Sequence, residues 1–248
     1  MSSTLAAVPG GLRFFADFGG LARATDLADL RAAARGVADR PDEFASWLVE
    51  LRQDESRVRA IAARSYWHPN GFAKLVLHSS CEPEFKVRLH VWPASSGAPR
   101  PGEANPHSHR WDFASTCVVG EGLHMVEYAE SDRRGTRYDR YRYGADATDK
   151  SALLADGSVR LIRIAAPHVH RGQVYSCDTS VVHTVVPIGT ALTATLVVQG
   201  PQRSPSTVVY RAPGLGDDQP NGVLTVARFL ELTGAVLAAY TAEQDAGA

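Results

Sequence analysis

The chain has 248 residues, of which 44% are hydrophobic and 21% are charged, and its formal net charge is −1. This size allows one large domain with a substantial core. The near-zero net charge argues against broad nucleic-acid binding, which requires a basic surface. The sequence shows neither a signal-peptide pattern nor an apolar run that could span a bilayer. Three cysteines without paired spacing fit a reducing compartment, so we expect a cytoplasmic protein without a membrane or nucleic-acid partner.

The first 72 residues predict a helical extension that packs on the remaining domain or covers one end of it. Residues 1–24 contain glycine pairs and are expected to be irregular. Apolar residues at helical spacing over 27–34 predict a first helix, which Gly36 is expected to weaken or end. Pro41 suits the first turn of a second helix, and Ser56 is the expected N-cap of a third.

Residues 73–212 read as a succession of short strands separated by glycine, proline and aspartate, which predicts a mainly β sandwich or barrel. One strand alternates clearly, with its apolar face formed by Phe85, Val87, Leu89 and Val91 and its other face by Lys86, Arg88, His90 and Trp92. A loop over 93–106 and a polar linker over 144–157 interrupt the pattern. Residues 213–248 predict a C-terminal helix that begins near Asn221 and packs on the barrel.

Three histidines carry the clearest chemical signal. His107 and His109 are separated by one residue and enter an apolar run that ends at Gly120. Side chains at positions i and i+2 of a strand share a face, and neutral imidazole is a common metal ligand. His183 lies in another apolar run and is the candidate third ligand. The pattern therefore predicts a metal site held by three imidazoles from distant segments.

These residues resemble the first motif of the cupin superfamily, which runs His-x-His, then a glutamate after three or four residues, then a glycine after six more. His107, His109 and Gly120 stand at the corresponding positions of this sequence. Phe113 stands where the glutamate would be. The departure removes the only carboxylate from the expected ligand set.

The second cupin motif has a glycine, a Pro-x-Gly turn and a histidine, and the resemblance to it is partial. Gly172 and His183 have the expected spacing. Residues 178–180 replace the Pro-x-Gly turn, and Pro187 replaces the usual asparagine. The resemblance covers about residues 75–211 and implies a single cupin-type β-barrel of the jelly-roll kind. A homodimer is expected from the resemblance alone.

A glutamate-free ligand set is similar to the cysteine dioxygenase branch of the cupins. The resemblance implies a mononuclear non-haem iron(II) enzyme that uses O2 and a small polar substrate such as a thiol, an amino acid or a small carboxylate. Zinc, nickel or manganese remain alternatives, because a three-histidine site accepts several divalent metals. Those metals would serve a Lewis-acid isomerase, lyase or hydrolase, and a non-catalytic small-molecule-binding cupin is a further alternative. No nucleotide cofactor is expected.

Three other residues compete for the role of ligand. A set of two histidines and one carboxylate is common for non-haem iron, so Asp112 is a rival. Asp112 follows His109 by three residues, however, and only a bulge would turn it to the same face of a strand. His168 and His170 form a second His-x-His beside Pro167, where a turn with exposed rings is expected.

The residues around the metal are predicted from residue type. Arg88, or alternatively Arg110, is expected to bind a substrate carboxylate through paired hydrogen bonds. His90 and Tyr175 are candidate catalytic residues that line the cavity and donate a proton or orient substrate. Strict alternation also places Cys117 on the face of the two motif histidines, near the metal.

Overall fold

The computed structural model describes residues 26–68, 70–81, 84–95, 103–143, 153–214 and 221–247. The irregular segment expected at 1–24 and parts of the loop and linker expected at 93–106 and 144–157 lie outside these residues. The helices are α1 (Leu27–Ala38), α2 (Pro41–Gln53), α3 (Glu55–Arg64) and α4 (Val226–Gly247). The strands are β1 (Tyr66–His68), β2 (Phe72–Cys81), β3 (Glu84–Trp92), β4 (Glu103–His107), β5 (Trp111–Val119), β6 (Gly122–Ser131), β7 (Thr136–Tyr143), β8 (Leu153–Ala165), β9 (His168–His170), β10 (Val174–Cys177), β11 (Val182–Pro187), β12 (Thr193–Gln202), β13 (Thr207–Arg211) and β14 (Gly222–Val223).

The strands form two antiparallel sheets. The first has the order β10-β5-β12-β3-β2-β1-β14, and the second has the order β11-β4-β13-β7-β8-β6-β9 with β11 also paired to β6. The inner faces of the two sheets meet in one hydrophobic cluster, which includes Phe113 and Val197 from the first sheet and Leu123 and Val185 from the second. The predicted mainly β, jelly-roll-like fold with added helices is thus confirmed.

The helices cover the outer face of the first sheet. On β3, Val87 and Leu89 are fully buried in one cluster with Trp47 and Leu48 of α2, which also contains residues of α1, α3 and α4. Arg88 lies between them in sequence and points to the other sheet, because side chains alternate along a strand. Of the two arrangements expected for the N-terminal helices, the structure shows packing on the domain, against a sheet face, and not a cover over one end of the barrel.

Two predicted boundaries of the N-terminal helices need correction. Helix α1 continues through Gly36 to Ala38, because Val37 is buried against the core and packing outweighs the low helix propensity of glycine. The N-cap of α3 is Asp54, whose carboxylate accepts a hydrogen bond from the backbone N–H of Arg57, and Ser56 lies exposed in the first turn.

The segments that flank the predicted barrel on its two sides meet at one edge of the first sheet. Helix α4 begins five residues later than expected, at Val226, because Gly222 and Val223 form a strand. That strand, β14, pairs with β1, where Trp67 lies opposite Gly222. Segments on both sides of the predicted 73–212 barrel therefore join its sheet. Among the described residues, no helix has both the length and the apolar character needed to cross a membrane.

The cap of α3 provides a direct test of the helix geometry. We expect Asp54→Ala to lower the free energy of unfolding by about 1 kcal/mol, because the Arg57 N–H loses its acceptor. Ser56→Ala, in the same turn, is the control and should change it by only a few tenths of a kcal/mol. Urea denaturation of both variants measures the difference, and equal effects would contradict the assigned cap.

Candidate metal centre

The three predicted histidines converge at the point where the chain crosses from the second sheet to the first. His107 is the last residue of β4, and His109 lies in the connection to β5. His183, on β11, is paired directly with His107. The expected single strand carrying both motif histidines is wrong, because β4 belongs to the second sheet and β5 to the first. His109 therefore reaches the site from a sheet-to-sheet connection.

The ligand nitrogens of these histidines lie within 4.8 Å of one another, and this is the only such group of three or more ligand residues in the described part of the chain. The Nε2 atoms of His109 and His183 are 3.0 Å apart. Two nitrogens at that separation can both bind one metal ion at about 2.0–2.1 Å, with an angle near ~90° at the metal. The three residues thus fit a metal ion by spacing and by donor type.

Hydrogen bonds at the far side of two rings orient these ligands. The Nδ1 of His107 is 2.9 Å from the carbonyl oxygen of Asn105, which can only accept, so Nδ1 carries the hydrogen and Nε2 keeps its lone pair. The Nδ1 of His183 is 3.4 Å from the Sγ of Cys177. His183 is only 1% exposed, so this ring is held in place by its surroundings. Such outer contacts fix the tautomer and orientation of metal-binding imidazoles.

Aromatic rings form one wall of the centre. The ring of Phe113 lies 5.0 Å from that of His109 and 5.8 Å from that of His183, centroid to centroid. Trp111 lies 5.8 Å from His109. Phe113 therefore occupies the place predicted for a missing glutamate with a ring that cannot coordinate. The candidate ligand set is therefore three histidines without a carboxylate.

The rival ligands are engaged elsewhere or lie apart. The carboxylate of Asp112 accepts a hydrogen bond of 3.1 Å from the backbone N–H of Thr179, and its other oxygen is 3.8 Å from the Nε of Arg203. His168 and His170 are exposed residues of β9, a short strand where a turn was expected. The ring of His168 contacts His124 at 4.8 Å. None of the three rivals belongs to the histidine cluster.

The predicted surrounding residues share the inner face of the first sheet but differ in distance from the centre. The guanidinium carbon of Arg88 is 5.4 Å from the ring of Trp111, which itself contacts His109. The ring of Tyr175 is 5.9 Å from that of Phe113. His90 packs farther along, at 5.4 Å from Phe72. Their catalytic roles remain predictions.

Two residues at the centre had no signal in the sequence. Cys177 contacts His183, whereas Cys117, the cysteine that alternation suggested, donates its S–H to the carbonyl of Val119 at 3.2 Å. Glu127 lies directly opposite His183 on β6, so both side chains leave the same face. These residues come together only because of the register of β11 against its neighbouring strands. That register cannot be predicted from a single sequence.

Cys117 and Cys177 are both buried, which favours the thiol form of each side chain. Burial raises the pKa of Cys117 to about 12. Burial also raises the pKa of Cys177, with a smaller contribution from the negative charge of Glu127. Cys177 lies outside the histidine cluster and contacts the Nδ1 of His183, which favours a role beside this candidate ligand.

Comparisons with known proteins found only distant structural likenesses. No family model and no curated protein matches the chain. Similar solved structures include an RmlC-like cupin protein from Desulfovibrio desulfuricans, with 19% identity, coverage of 52% of this chain and 82% of that one, and a TM-score of 0.26. A hydroxypropylphosphonic acid epoxidase from S. wedmorenis has 11% identity, coverage of 77% of this chain and 96% of that one, and a TM-score of 0.32.

A third similar structure is an oxalate oxidase in complex with the substrate analogue glycolate, with 12% identity, coverage of 56% of this chain and a TM-score of 0.31. The chain spans 55% of that protein, about half of its length. Likenesses at this level carry no argument about activity. The sheets and the histidine cluster themselves define a jelly-roll-like protein with a candidate three-histidine metal centre.

The cluster predicts the metal content of histidine variants. His107→Ala, His109→Ala and His183→Ala should each reduce bound metal from near-stoichiometric to background, because each removes one of three ligands. His168→Ala is the matched control, since this exposed histidine lies outside the cluster, and it should retain the metal. Elemental analysis of the purified proteins measures the outcome. Equal metal content in all four variants would refute the site.

The contact between Cys177 and His183 predicts a smaller effect. Cys177→Val removes the sulfur beside Nδ1 of His183 and should weaken metal affinity about 10–100-fold, the usual range for an outer partner of a ligand. Cys117→Val is the control, because Cys117 contacts the carbonyl of Val119 instead. Competition with a chelator measures both affinities. An unchanged affinity in Cys177→Val would show that this contact does not orient the ligand.

Proposed function

We propose that this protein is a mononuclear non-haem iron(II) dioxygenase or oxygenase that acts on a small polar substrate. The observation that carries the proposal is the convergence of three histidines with no carboxylate in the cluster. Three neutral ligands leave the full positive charge of a bound divalent ion, which favours an anionic substrate group as a further ligand. A bound iron(II) would supply the redox chemistry that joins substrate and O2.

The residues of the chain would prepare the site for that chemistry. His107, His109 and His183 would hold the ion, and the Asn105 carbonyl would keep the hydrogen of His107 on Nδ1, away from the metal side. The rings of Trp111 and Phe113 would exclude water beside His109. A dry, fixed site brings two reactants into line and limits side reactions.

The substrate side of the proposal rests on charge and position. Arg88 stacks on Trp111 and stands on the inner face of the first sheet, where its guanidinium can bind an anionic group of the substrate. Tyr175 stands beside Phe113, and its hydroxyl can donate a hydrogen bond to the substrate. Glu127, opposite His183, can accept a proton at its carboxylate. These three residues are the proposed groups for binding and proton transfer.

Oxygen uptake tests the proposal. Protein loaded anaerobically with iron(II) should consume O2 when mixed with its substrate from a panel of thiols, amino acids and small carboxylates. His109→Ala should consume no more than free iron in the same buffer, because the ligand set is incomplete. His170→Ala, on the exposed strand β9, should match the wild type.

The same experiment separates the alternative function. Substrate turnover without O2 consumption by zinc-, nickel- or manganese-loaded protein would replace the dioxygenase with a Lewis-acid isomerase, lyase or hydrolase. Metal binding without any turnover would leave a binding protein. A protein that holds no metal would exclude both metalloenzyme functions.

A further inference from the structure

A row of neutral polar side chains lies inside the protein on the first sheet. Gln199 and Thr195 of β12 and Ser115 of β5 are each fully buried, with 0% exposure. Both amide atoms of Gln199, the Oγ of Ser115 and the Oγ1 of Thr195 have no hydrogen-bond partner among the described residues. Buried amides and hydroxyls without partners destabilise a fold, and in native proteins such groups call for a specific explanation.

Strand register shows where these groups point. Gln199 is paired with Phe113, whose ring contacts His109 and His183. Paired residues of antiparallel strands share a face, so the amide of Gln199 enters the space between the sheets at the level of the metal centre. The polar row thus begins at the candidate site.

The row then continues away from the centre. Ser115 is paired with Val197 on one side and with Tyr175 on the other, and Thr195 is paired with His90. Four residues of strand separate Gln199 from Thr195, which corresponds to about 13 Å. The unpartnered atoms are therefore spread along a line rather than gathered at one point.

The chemistry of the row describes its ligand. The amide offers a donor and an acceptor, and each hydroxyl can be either, which is the pattern that recognises hydroxyl groups. Arg88 is paired with Val197, between Gln199 and Thr195 along the row, and adds a positive charge. Lys86 is paired with Gln199 on the same face, but its charge is matched by an ion pair with Glu84 at 3.2 Å. A cation beside a line of neutral donors and acceptors matches a molecule with one acidic group and several hydroxyls.

We infer that Gln199, Ser115 and Thr195 form the substrate-recognition surface of this protein, and that its ligand is an extended, hydroxylated small carboxylate of the sugar-acid type. The inference rests on the proposed function, because it places the ligand beside the proposed metal. It narrows the substrate class: thiols and amino acids leave most of the row without partners, whereas a chain of hydroxyl groups satisfies it.

The chain contains a matched control. Thr116 is also 0% exposed and its Oγ1 also has no partner among the described residues, but it is paired with Leu196 on the helix-covered face. Thr116→Val and Thr195→Val therefore make the same chemical change on opposite faces of one sheet. Gln199→Met likewise removes the amide while nearly keeping the volume of the side chain.

The test is calorimetric titration of the purified full-length protein, with its metal content measured on the same preparation. The probes are glycerate, threonate and gluconate, each compared with the unsubstituted alkanoate of equal chain length. The wild type should bind at least one sugar acid more tightly than its alkanoate. Thr195→Val and Gln199→Met should each weaken that binding about tenfold, the effect of losing one buried hydrogen bond, while Thr116→Val should not change it.

Circular dichroism and the thermal midpoint confirm that each variant folds, and Ser115→Ala is a third removal should either of the others fail to fold. The inference is overturned if no sugar acid binds better than its alkanoate, or if the row variants bind it as the wild type does. Protein that lacks metal yet shows the predicted binding would refute the proposed function and support the recognition surface. Protein that holds metal but does not bind sugar acids in this way would refute the recognition surface and leave the proposed function standing.

Discussion

Alternation of side chains along the first sheet is the constraint on which both the core and the candidate site depend. Along β3, β5 and β12, one set of residues packs against four helices and the intervening set faces the second sheet. A register shift of one residue would exchange the two sets and place Arg88 and Gln199 among the helices. The helical layer therefore holds the site in place without touching it, because its apolar contacts stabilise only one register.

The second sheet contributes two of the three candidate ligands, and its strand β11 carries one of them between two partner strands. β11 pairs with β4 and with β6, so His183 stands between His107 and Glu127 in a single cross-strand row. The buried imidazole of His183 is thereby surrounded by a ligand, a carboxylate and the thiol of Cys177. This row gives the centre a rigid side, and the connection that carries His109 completes it.

Local chemistry made much of this arrangement predictable. Residue type and spacing, which are short-range signals, predict the alternation over 85–92, the start of α2 at Pro41 and the three histidines. The cap at Asp54 and the course of α1 through Gly36 were mispredicted, because neighbouring residues competed for the same role or packing outweighed propensity.

A different reason explains why the sequence did not predict the roles of Cys177, Glu127 and Gln199. Their importance depends on which strands lie side by side, and pairing between segments tens of residues apart leaves no local trace. Even the His-x-His motif was found by a rule that does not hold here, since its second histidine is not on a strand. Spacing identified the three histidines that cluster in the structure, while the geometry that brings them together was not predicted.

The position of His109 outside the sheets has a consequence for the rigidity of the candidate centre. His107 and His183 are joined by a backbone ladder, so the sheet fixes their relative geometry. His109 lies in a three-residue bridge, 108–110, whose first residue donates its backbone N–H to the carbonyl of Val208 on β13. A change in the length of this bridge would therefore break hydrogen bonds to the second sheet as well as move the third imidazole, so the angle at which the three rings meet is coupled to the scaffold.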